Sequence, residues 1–130
     1  MTIPAFQTPR FKERAVADTA WMKAMLHSAP FGSLGMLQAD QPYVKPTLFA
    51  YDEAAQVIYF HGALEGRTRA ALEQAPGVCF TISQLGRLLP AATSMEFGIE
   101  YNCVMIFGQV SIVEGELAHT GLQLLLSYDF

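Results

Sequence analysis

The sequence predicts one mainly β domain, a small antiparallel β-barrel with added helices. Three features carry that expectation. Short β-branched and aromatic runs recur at close spacing with turn residues between them, as in a meander. Five or six such runs share the chain with two or three helical windows, the balance of a barrel with inserted helices. The length of 130 residues, 52% of them hydrophobic, suits one core and not two. A mixed α+β arrangement around an open sheet is the alternative.

Residues 1–12 hold two prolines and no period, and read as an extended arm. Glu13–Ser28 is helical in pattern, with Val16, Trp21, Met22, Met25 and Leu26 on one apolar stripe. Pro30 stops it, so residues 28–32 connect to a short strand, Ser33–Gln38. Residues 39–42 are turn chemistry. Tyr43–Tyr51 follows as a strand, and Pro46 within it demands an edge or a bulge. Asp52–Gln56 is a turn, and Val57–Phe60 a β-branched and aromatic strand. Leu64–Gln74 reads as a short helix closed by Pro76-Gly77, and Val78–Ser83 as a strand, with no firm assignment over 84–91. Tyr101–Val113 is the longest strand, where Gly108 points to a bulge or bend. Glu116–Tyr128 closes the chain as a helix whose leucines predict a wide buried face.

Charge narrows the function. The net charge is −4, and the eight Lys and Arg are scattered, so no basic footprint for nucleic acid exists. Only 15% of residues are charged, against the usual quarter, so part of the surface is expected to face a partner or a flat ligand. No 18-residue apolar run predicts a membrane span, and the N-terminus has no apolar signal region. The expected location is the cytoplasm, with Cys79 and Cys103 reduced. Neither cysteine has zinc-ligand spacing, and three scattered histidines give no metal site.

Chemistry concentrates between Pro46 and Arg69, PTLFAYDEAAQVIYFHGALEGRTR. A strand ends at His61-Gly62 and a helix opens at Gly66-Arg67-Thr68-Arg69. Glycine allows close backbone approach, and the free N–H groups of a new helix favour an anion. Thr68 adds a hydroxyl, and Arg67 and Arg69 add guanidinium forks. On spacing alone this is either a phosphate cradle or a solvated helix start. Neither GxxxxGK[ST] nor GxGxxG occurs. His61 reads either as a ligand-facing residue or as a strand-end histidine bonded to a neighbour. His27 and His119, on helices without a carboxylate or thiol partner at ligand spacing, read as structural. Glu96 and Glu100 would share one side of an extended segment, most simply a solvated face.

Four segments together resemble the pyridoxamine 5′-phosphate oxidase-like superfamily of FMN-binding split β-barrels, nearest the nitroimidazole-resistance-type flavin-binding proteins. They are SAPFGSLGML after the first helix, QPYVKPTLFAYD, VIYFHGALEGRTRAALEQAPGVCFTIS, and EYNCVMIFGQVSIVEGE with its helix. The HGAxxGR unit at this distance from Pro46-Thr47-Leu48 is the most specific part. The resemblance spans about residues 10–128.

That resemblance implies a homodimer with FMN between subunits. By position, the Pro46-Thr47-Leu48-Phe49 backbone would edge the isoalloxazine with Lys45 nearby. Phe60 and His61 would flank the ring or ribityl chain, and Gly66 and Arg67 would hold the phosphate. Cys103 would approach the flavin held mainly by the partner. The implied activity is electron transfer from reduced flavin to a small nitro or quinone acceptor. His61 is the candidate catalytic proton donor, because imidazole titrates near neutral pH. A non-catalytic flavin carrier, or a split barrel for haem or a deazaflavin, are the other readings. Three departures stand out. Thr68 replaces a common lysine, which leaves Arg69 as the substitute charge; Cys103 replaces a usual serine; and the chain stops at Phe130 where many relatives add a final strand. The expected barrel therefore lacks its usual C-terminal strand. Pyridoxamine 5′-phosphate oxidation, which uses basic residues of that segment, is not carried over.

Overall fold

The computed structural model describes residues 12–29, 31–62 and 65–126. The expected N-terminal arm thus lies almost wholly outside the described residues, as does Pro30. Helix α1 (Thr19–Ser28) starts six residues later than the pattern predicts, after a 3-10 turn at Lys12–Arg14. The reason is a cap. Asp18 Oδ1 accepts from the N–H groups of Ala20 at 3.0 Å and Trp21 at 3.3 Å, satisfying donors that an earlier start would leave elsewhere. Met25 and Leu26 enter the core and Trp21 and Met22 pack against it, whereas Val16 precedes the cap and is exposed.

Strands β1 (Gly32–Gln38) and β2 (Gln41–Thr47) form a two-residue hairpin. Its turn residues Ala39 and Asp40 have φ of 49° and 65°, the left-handed pair that a type I′ turn requires. Gln38 pairs with Gln41, so Pro42 and Pro46, opposite Leu37 and Ser33, fall on the alternate pairs. Their nitrogens face the free edge, where a missing N–H costs no ladder bond. Pro46 is therefore on an edge strand, as expected. The predicted Tyr43–Tyr51 strand, however, breaks at Leu48-Phe49. β3 (Ala50–Asp52) belongs to a separate two-stranded ribbon with β4 (Val57–Tyr59).

After helix α2 (Arg67–Gln74) come β5 (Gly77–Leu89) and β6 (Gly98–Gln109), and the main sheet is ordered β2-β1-β5-β6, antiparallel throughout. β5 absorbs most of the unassigned stretch after Ser83. Its register with β6 slips between Leu85 and Leu88. A Cβ on Gly86 would lie 2.8 Å from that of Glu100, and Arg87 donates to Glu100 at 2.7 and 3.0 Å. The irregularity is here and not at Gly108, which pairs in register with Val78. β6 ends at Gln109 rather than Val113, because its partner β5 begins at Gly77, opposite Gln109. Glu96 closes a 3-10 turn while Glu100 sits in β6, so the two share no extended segment.

The main sheet and the β3–β4 ribbon are not hydrogen-bonded to each other, so the barrel is split and open. Its core lies on the face carrying Leu34, Met36, Phe80, Ile82 and Val104. Phe49, 0% exposed at the break between β2 and β3, fills it and meets Phe80 edge-on with centroids 4.9 Å apart. The opposite face is uncovered and apolar: Val44 is 65% exposed and Met105 60%, with Leu37 on β1 and Phe107 beside Met105 on β6.

Helix α3 (Gly115–Leu126) corrects another expectation. Its buried residue is Gly121, not a leucine; Leu117, Leu122 and Leu126 are exposed. The helix touches the narrow β3–β4 ribbon, which is too small to cover a wide stripe. Among the described residues no strand follows α3, and no helix is long and apolar enough to cross a membrane.

Candidate functional site

The turn into α2 has a backbone that only glycine adopts easily. Gly66 has φ 127° and ψ −176°, and a Cβ there would meet nothing within 4 Å. Among the described residues, the surface beside it is open. Gly66 contributes no side-chain cap, in contrast to Asp18 at α1. The first N–H groups of α2 therefore point outward without an intrahelical acceptor, at the positive end of the helix dipole.

The basic side chains divide into two kinds. Arg69 Nε donates to Glu73 at 2.7 Å, Arg87 binds Glu100, and Lys23 lies 3.6 Å from Glu53. Arg67 and Lys45 have no carboxylate partner among the described residues. The Arg67 guanidinium instead lies over the Tyr43 ring, 5.4 Å from its centroid. Tyr43, Lys45 and Thr47 are half-buried on one face of β2, opposite Met36, Leu34 and Gly32. Thr47 Oγ1 donates to the Leu48 carbonyl at 3.1 Å.

The predicted site residues separate accordingly. Arg67 at the open turn lies over Tyr43, whose strand face also carries Lys45 and Thr47. Thr68 is half-buried beside Arg67 in the first turn. Arg69 is turned to Glu73, to which its Nε donates at 2.7 Å. Phe60 packs against the core and His61 is exposed just past β4. Leu48 is exposed, Pro46 lies on the open face of the sheet edge, and the Phe49 side chain is in the core, leaving only its backbone for a ligand. Cys103 faces the uncovered side of the sheet, away from the Arg67 turn, with Thr81 Oγ1 at 3.3 Å. Cys79 is on that same face; burial, and then the neighbouring Cys103 charge, push its thiol pKa up.

Two residues escaped the sequence reading. Tyr43 was detectable only through its two-residue spacing from Lys45. Glu53 meets His27 Nε2 at 3.2 Å, so His27 does have a carboxylate partner, supplied by the β3–β4 turn. A groove of about 720 Å³ runs along the uncovered sheet face past Leu37, Val44, Cys79 and Phe107, with Tyr43 at its margin.

The pattern of the pyridoxamine 5′-phosphate oxidase family matches residues 18–128. The chain belongs to that family. No curated protein matches it. Among solved structures, it is similar to the flavocytochrome Anf3 from Azotobacter vinelandii, at 28% identity and a TM-score of 0.80 over 92% of this chain and 55% of that one. It also resembles a putative 5-nitroimidazole antibiotic resistance protein from Bacteroides thetaiotaomicron, at 21% identity and 0.75 over 88% and 70%. A FAD and heme binding protein from Mycobacterium smegmatis follows at 17% and 0.72 over 83% and 52%. The chain thus spans about half the length of the first and third of these. The three likenesses support the expected split-barrel fold, here with an unclosed sheet.

Proposed function

We propose that this family member is an FMN-binding homodimeric flavoprotein, an oxidoreductase that passes electrons to a small nitro or quinone acceptor in the cytoplasm. The reading rests on the start of α2, where an uncapped helix, an open glycine and an uncommitted guanidinium coincide. These are the groups a phosphate monoester needs: backbone donors, room, and a charged fork. Bound flavin would supply the redox chemistry, and the protein its position and electrostatics. Gly66, Arg67 and Thr68 hold the phosphate, with Lys45 as a second cation. The backbone of 46–49 and the edges of Phe60 and His61 place the ring system, and the exposed His61 imidazole donates a proton to the acceptor. The uncovered apolar sheet face supports a second copy docking there, where Cys103 would approach the flavin held mainly by the partner.

A second reading adds haem, favoured by the likeness to a flavocytochrome. His61 would then be an axial ligand. The deciding experiment is an absorption spectrum of the purified protein, followed by FMN titration with light scattering. Flavin bands, released FMN on chromatography and a dimer mass are expected. A colourless monomer that takes up no FMN overturns the reading, and a Soret band selects haem. Bleaching by NAD(P)H in stopped flow separates an oxidoreductase from a carrier.

A further inference from the structure

We infer that Tyr43 is a positioning residue for the phosphate: its ring holds the Arg67 guanidinium over β2, beside Lys45, so that two cations meet one dianion. The inference rests on the flavin reading above. The placement of Arg67 serves both; the role of Tyr43 is what this inference adds. In a chain of net charge −4, the described carboxylates take up Lys23, Arg69 and Arg87, but leave Arg67 and Lys45 without an acidic partner. Only Arg67 is laid on Tyr43; Lys45 neighbours it along the strand. Arg67 reaches it from α2 at 5.4 Å, and Lys45 shares its strand face two residues on.

The physical role follows from how an arginine can be held. A guanidinium at an exposed helix start samples many rotamers, and an anion that binds it must first freeze them. A carboxylate would restrict the side chain but would occupy its donors and cancel its charge, as Glu73 does to Arg69. An aromatic face restricts it through the ring quadrupole while leaving the N–H fork free at its edge. Tyr43 is itself fixed, because it packs against the hydrophobic core. The ring therefore pre-orders the cation without competing with the ligand.

The test compares Kd for FMN with Kd for riboflavin, which lacks the phosphate. The proteins are wild type, Tyr43→Phe, Tyr43→Leu, Arg67→Ala and the Tyr43→Leu/Arg67→Ala double variant. Tyr43→Leu is expected to weaken FMN about two- to fivefold, with riboflavin unchanged and Tyr43→Phe like wild type. In the Arg67→Ala background Tyr43→Leu should add nothing. Unchanged riboflavin affinity also reports that the variant is folded. Equal loss of both flavins, a neutral Tyr43→Leu, or full additivity in the double variant overturns the inference while leaving FMN binding intact. A wild-type protein that binds neither flavin overturns the flavin reading and this inference with it.

Discussion

The α-carbon of Gly121 in α3 lies against the ring of Tyr59 in β4, so close that a Cβ would sit 2.6 Å from Cδ1 and 3.0 Å from Cγ. These are atoms near the root of the ring, which cannot swing away as a flexible tip would. Gly121→Ala gains helix propensity of at most about 1 kcal/mol. The overpacking costs about 1–3 kcal/mol, so the clash decides the sign. Thermal unfolding should show a lower Tm for Gly121→Ala. Gly108→Ala, where a Cβ would meet nothing within 4 Å, is the control and should stay close to wild type.

Asp18 is the whole side-chain cap of α1. Asp18→Ala should cost about 1 kcal/mol. Urea unfolding should show a reduced midpoint with an unchanged slope, because the same surface is exposed on unfolding. A full-sized midpoint would mean that water caps the helix as well as the carboxylate does.

Arg67 and Arg69 differ by two positions but are predicted to differ strongly toward FMN. A hydrogen bond to a charged group contributes about 1.5–3 kcal/mol, so Arg67→Ala should weaken FMN roughly 10–100-fold. Arg69→Ala should change affinity little, since its guanidinium already serves Glu73. Fluorescence-quenching titrations of both variants check the order, and reversed effects would move the phosphate off the Arg67 side of the turn.

The thiols offer a test with a defined pH sign. Cys79 has a raised pKa, first from burial and then from Cys103. The native state therefore holds that proton more tightly than the unfolded chain. Its contribution to stability is fully present below the unfolded thiol pKa and is lost as pH rises through the higher native value. Stability should decline on the alkaline side, and Cys79→Ser should flatten that decline. Cys103, the exposed thiol, should be alkylated before Cys79 at neutral pH, as read by mass spectrometry. Protection of both by added FMN would agree with a dimer closing over that sheet face.

Much of the fold was legible in local chemistry. Alternation and turn residues located the strands, and Pro46 announced an edge. Gly66-Arg67 marked the turn into α2, although the helical window was expected from Leu64, three residues before its start at Arg67. Errors arose where a partner decides. Tyr43–Tyr51 is continuous in propensity, yet Phe49 turns inward onto Phe80 and breaks it into strands of two different sheets. The leucines of α3 look like a core stripe, yet among its described residues only Gly121 is fully buried, with Leu124 and Leu125 half-buried. His27 appeared solitary because Glu53, 26 residues away, reaches it only through the β3–β4 turn.

The low charge content, the order of elements and the anion-friendly turn at Gly66 were set by residue types and short spacings, which act over a few positions of chain. Tertiary structure alone decided which cations remain available. Arg69 is neutralised by a neighbour one helical turn away, whereas Arg67 is laid on an aromatic ring from a strand more than twenty residues upstream. It also decided that part of the apolar surplus, Leu37, Val44, Met105 and Phe107, shares one uncovered sheet face. Side-chain partners and faces follow from register and packing between distant segments, and those are long-range properties that no local pattern encodes.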